Sequence, residues 1–111
     1  MIIRIIEQPI TRAEAKEIAK EFYGDMVKGV ADIEREIIAL GGEWHMDANA
    51  KLIRHGSRQT AVWGFNFYPD ECRIEYTSLI NIRPSQNNRK IEIQDEELKR
   101  KMEKVIRKLI L

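Results

Sequence analysis

From Val62 to Arg83 the chain alternates. Trp63, Phe65 and Phe67 fall on one side against Val62, Gly64, Asn66 and Tyr68; then Ile74, Tyr76, Ser78, Ile80 and Ile82 fall on one side against Arg73, Glu75, Thr77, Leu79, Asn81 and Arg83. Successive strand side chains point to opposite faces, so this pattern lays one apolar face of a sheet on a core. Between the two runs, Tyr68-Pro69-Asp70-Glu71 places proline where a type I turn takes it, which predicts a hairpin. The second arm ends at Pro84, which cannot donate to a ladder and holds Arg83 extended. A polar loop then leads to a short return strand with Ile91 and Ile93 facing inward.

The rest of the chain must supply partners for that sheet. Met1 to Ile6 reads as a first strand. Thr11 and Glu14 make a capping box that starts a helix at Arg12. Ala15, Ala19, Phe22, Met26, Val30, Ile33, Ile37 and Leu40 recur at steps of three and four, which predicts one long helix ending at Gly41-Gly42. From Glu43 the period changes to two, with Trp44, Met46, Ala48, Ala50 and Leu52 against His45, Asp47, Asn49 and Lys51, and predicts a strand. Asp95, Glu96 and Glu97 open a last helix with Leu98, Met102, Val105, Ile106, Leu109 and Ile110 on its apolar face. The expectation is an α+β fold: a largely antiparallel sheet of about five strands in the order β-α-β-β-β-β-α, with a long N-terminal helix and a C-terminal helix on one face.

At 111 residues the chain is long enough for one well-filled core, so residues 1–111 are expected to form a single domain. Nineteen basic and eighteen acidic side chains nearly cancel. That removes the general field that draws basic proteins to nucleic acid or anionic membranes. The lone Cys72 and a start without a basic leader or apolar run point to a cytoplasmic protein. No nucleophile elbow, phosphate loop, metal-ligand spacing or dinucleotide fingerprint is present, so neither cofactor nor metal is implied.

Gly41-Gly42-Glu43 with His45 and Asp47, then Trp63-Gly64, then the run Glu75 to Pro84 with Asn88, resemble a family of short bacterial and archaeal proteins known only as a domain of unknown function. The resemblance spans nearly the whole chain and implies a free-standing prokaryotic protein. It brings no activity, cofactor or catalytic residue.

Two constellations carry chemistry. Asn81, Arg83, Asn88 and Arg89, with Arg58 from the preceding connection, gather guanidinium forks and amides at the hairpin tip, which suits a small anionic ligand or an acidic partner segment. The bland reading is that a proline-started loop needs Asn and Ser for its own backbone. His45 and Asp47 share a strand face, where an aspartate orients an imidazole for proton transfer; the bland reading is an ordinary polar face. A simple meander would put the two constellations on the order of 30 Å apart at about 3.3 Å per residue. The leading expectation is anion binding at the tip without catalysis. The alternatives are an oligomerisation module without ligand chemistry, and a small hydrolase or RelE-like ribonuclease using His45 and Asp47 or Arg83.

Overall fold

The computed structural model describes residues 2–111; Met1, placed in the first strand above, lies outside the described residues. Five strands form one antiparallel sheet: β1 (Ile3–Ile6), β2 (Val27–Asp32), β3 (Ile37–Gly41), β4 (Val62–Tyr68) and β5 (Arg73–Glu75), in the spatial order β1-β3-β2-β4-β5. Three helices pack on it: α1 (Arg12–Ala19), α2 (His45–Arg54) and α3 (Glu96–Leu109). The α+β class and the five antiparallel strands agree with the sequence reading, and so does the Thr11 capping box, in which Thr11 Oγ1 accepts the Glu14 amide at 3.1 Å. Asp95 caps α3 by accepting the Glu97 amide at 2.9 Å.

The element order differs from the expected one in three places, the long helix, the strand from Glu43 and the return strand at Ile91 and Ile93. The predicted long helix stops at Ala19, and its remainder is the β2–β3 hairpin. Val27, Val30, Ile37 and Ile38 are β-branched and suit strands. Gly29 is required by packing, because a Cβ there would lie 2.5 Å from the Phe65 ring that crosses over it. Asp32 turns the hairpin: its Oδ1 accepts the amides of Glu34 (2.9 Å) and Arg35 (3.0 Å), and Glu36 adopts φ 55°. The predicted strand from Glu43 is instead α2. His45, Ala48, Asn49 and Leu52 are its buried residues, spaced at three and four, and no β-branched residue interrupts Trp44 to Leu52.

The helices also occupy both faces rather than one. Trp63, Phe65 and Phe67 join Ile6, Val27, Ile38 and Leu40 under α1 and α3, whose Ala15, Ala19, Met102, Val105, Ile106 and Leu109 are buried there. The opposite face carries Val30, Ile37, Ala39 and Val62 under Ala48 and Leu52 of α2. Five strands about 4.8 Å apart are roughly 19 Å wide, whereas one helix covers about 10 Å. One face therefore has two helices and the other has one.

The hairpin arm is shorter than expected. Regular pairing of β5 with β4 ends at Glu75, and single turns of 3-10 helix follow at Leu79–Asn81 and Pro84–Gln86. The return strand is reduced to a bridge between Thr77 and Glu92, flanked by Ser78 N–H to Ile91 O and Ile93 N–H to Tyr76 O, both 3.0 Å. Ile93 is buried and Ile91 exposed.

Candidate functional site

The hairpin-tip side chains reach the protein's own backbone. Asn81 is fully buried; its Oδ1 accepts the Gly64 amide at 2.8 Å and its Nδ2 donates to the Gly64 carbonyl at 3.0 Å, the two bonds a neighbouring strand would make. Arg83 donates to the carbonyls of Ile80 (3.0 Å), Gln59 (2.8 Å) and Val62, and its guanidinium lies 4.1 Å from the Trp63 ring centroid. Burial lowers the pKa of that guanidinium. Asn88 Nδ2 donates to Asn81 O and Lys90 O, both at 2.8 Å, while its Oδ1 accepts the Gln94 amide. Arg58 pairs with Glu34. Among the described residues only Arg89 of this set keeps a guanidinium without a hydrogen bond or ion pair; its backbone amide bonds Gln94.

His45 and Asp47 open α2 and do not pair with each other. Asp47 Oδ2 accepts the Trp44 amide at 3.4 Å. His45 is buried, its Nε2 2.9 Å from the Phe65 carbonyl. A carbonyl only accepts, so Nε2 carries the proton and Nδ1 is an acceptor. Burial lowers the His45 pKa to about 4, opposed by the Phe65 hydrogen bond and by the Asn66 side chain, to which only a protonated ring could donate, and reinforced by the positive charge of Lys28, so the ring is neutral at pH 7. His45 and Arg83 thus bond β4 carbonyls only three residues apart, about 10 Å along a strand, and not at opposite ends as a simple meander required.

Where α2 leaves its face of the sheet uncovered, a groove of about 460 Å³ opens. Its walls are Trp44, His45 and Met46 of α2 on one side and Thr77 to Ile80 with Ile91 on the other; Lys28 of β2 and Asn66 of β4 also line it. Trp44, Met46, Leu79 and Ile91 are large apolar side chains left exposed along it, Leu79 by 77%. Isolated exposed apolar residues are ordinary, but four around one concavity are a feature.

Two polar groups of the groove lack partners. Asn66 is buried, and its Nδ2 donates to Glu75 Oε1 (2.9 Å) and Thr77 O (3.4 Å), which fixes the amide orientation. Its Oδ1 is then a buried acceptor without a donor, a state that costs on the order of 1–3 kcal/mol. Lys28 Nζ lies 5.2 Å from the Tyr23 ring centroid and 5.5 Å from that of Trp44, and no carboxylate pairs with it among the described residues. Neither Lys28 nor Asn66 is singled out by a motif. The signal available in the sequence was, for Asn66, its position on the strand face opposite the aromatic residues; Lys28 fell within the predicted long helix.

A family model described as a protein of unknown function (DUF5674) matches residues 4–109. No curated protein and no solved structure matches the chain. Among the described residues no helix is long and apolar enough to cross a membrane.

Proposed function

The chain belongs to the DUF5674 family of proteins of unknown function, and from the geometry of the groove we propose that it is a small binding protein which takes a largely apolar molecule between α2 and the 77–80 segment. The observation that carries this reading is the Asn66 carboxamide: a buried acceptor without a donor, at the edge of an apolar concavity whose volume falls within the roughly 300–1,000 Å³ of small-molecule sites. A ligand N–H or O–H would complete its hydrogen bonding. A neutral imidazole with a pKa about 4 is a weak base at pH 7, so His45 serves the groove as a wall and an acceptor more readily than as a proton carrier.

Anion binding at the hairpin tip would rest on Arg89, since the other side chains of that set hold the chain itself. The test uses N-phenylnaphthylamine, a neutral fluorophore with one N–H whose emission rises in apolar surroundings. The wild type should bind it in a saturable manner, and Leu79→Glu, at an exposed position, should weaken uptake on the order of tenfold or more without lowering the melting temperature. Equal, unsaturable emission from both proteins would remove the proposal. An oligomerisation face predicts something else for Leu79→Glu: a changed sedimentation mass.

A further inference from the structure

Resting on the binding groove proposed above, we infer that its ligand is an amphiphilic anion, a carboxylate or sulfonate head on a hydrocarbon or aromatic body. Lys28 is the only cationic side chain that lines the groove among the described residues, and no carboxylate faces it there. Its ammonium sits beside the Tyr23 and Trp44 rings, which attract a cation without neutralising its charge. The same positive charge disfavours protonation of His45, another residue of the groove wall.

The start of α2 adds little to this field. Trp44 occupies the N-cap position of α2, where serine, threonine, asparagine or aspartate would supply a side-chain acceptor; its indole has none. Asp47 accepts the Trp44 amide, and no side-chain bond reaches the amides of His45 and Met46. The Asp47 carboxylate offsets the positive end of α2, so the positive charge on the groove wall is that of Lys28. Of the remaining lining, Met46, Leu79, Ile80 and Ile91 offer apolar contact and Thr77 and Ser78 are uncharged, which fits a body and not a second charge. The head meets Lys28, the donor of the ligand meets Asn66 Oδ1, and the body lies along the 77–80 segment.

The experiment compares two dyes of one skeleton, neutral N-phenylnaphthylamine and its sulfonated counterpart anilinonaphthalene sulfonate, on wild type, Lys28→Met and Lys28→Arg. The wild type should prefer the sulfonated dye, and the preference should weaken with added salt. Lys28→Met should lose on the order of tenfold in affinity for the sulfonated dye and less than about twofold for the neutral one, with Lys28→Arg restoring the preference. If both dyes bind and Lys28→Met moves them equally, the anion inference is overturned while the groove stands. If neither dye binds the wild type, both fall.

Discussion

The side chain of Asn81 pairs with the backbone of Gly64 as a strand would, accepting from its amide at 2.8 Å and donating to its carbonyl at 3.0 Å. Beyond Glu75, where β5 ends, the outer edge of β4 is therefore closed by side chains: Asn81 at Gly64 and Arg83 at Val62. Gly64 accepts this arrangement because a Cβ would lie 2.5 Å from Ser78 Cβ. Asn81→Ala strands two buried backbone groups, each costing about 1–3 kcal/mol. A fall in melting temperature on the order of 10–20 °C is expected for a domain of this size. Thermal unfolding followed by circular dichroism checks it.

Arg83→Lys should behave almost as Arg83→Ala. An ammonium cannot span the carbonyls of Gln59, Ile80 and Val62 or lie flat on Trp63. Both variants should unfold at clearly lower denaturant concentration than wild type. Unchanged midpoints would mean that Arg83 is kept for something other than the fold.

Asp32 is buried, with Oδ1 holding the hairpin turn and Oδ2 without a partner. Asn at this position keeps the turn acceptor and removes a buried charge, so Asp32→Asn should be neutral or stabilising, whereas Asp32→Ala should cost about 1–2 kcal/mol. Equal losses from both would show that the charge itself matters.

Burial holds the His45 pKa near 4 against an ordinary 6.5, so between those values the unfolded chain binds the proton and the folded one does not. Stability is then fully present above about pH 6.5 and declines as pH falls toward 4, by about 3 kcal/mol at most. His45→Gln can still donate to Phe65 O and should flatten this part of the pH profile. Denaturant midpoints at pH 7.5, 6 and about 4.5 measure the difference.

The parts legible in the sequence were those with one dominant signal: the Thr11 box, the Trp63-Phe65-Phe67 alternation, the proline turn and the Asp95 start of α3. The β2–β3 hairpin was hidden because Val30, Ile33, Ile37 and Leu40 fall at helical steps by coincidence of two strands and a turn, while the β-branched content and Gly29 pointed the other way. Trp44 to Leu52 satisfies both periods, and only its lack of β-branched residues favoured a helix. That exchange moved α2 over the second face, buried His45 and created the groove. The polar density of residues 81–89 was visible, but its direction was not: Asn81 and Arg83 meet unpaired backbone of β4 and Asn88 meets carbonyls of its own loop, which a sequence does not display.

Side-chain NMR signals separate the groove from the hairpin tip most directly, because Asn66 belongs to one and Asn81 and Asn88 to the other. On titration with anilinonaphthalene sulfonate, the Asn66 carboxamide, the Trp44 indole and the His45 ring should shift together and saturate, while the Asn81 and Asn88 carboxamides stay in place. Shifts at Asn81, Asn88 and Arg89 with Asn66 unmoved would contradict the account and return the site to the tip.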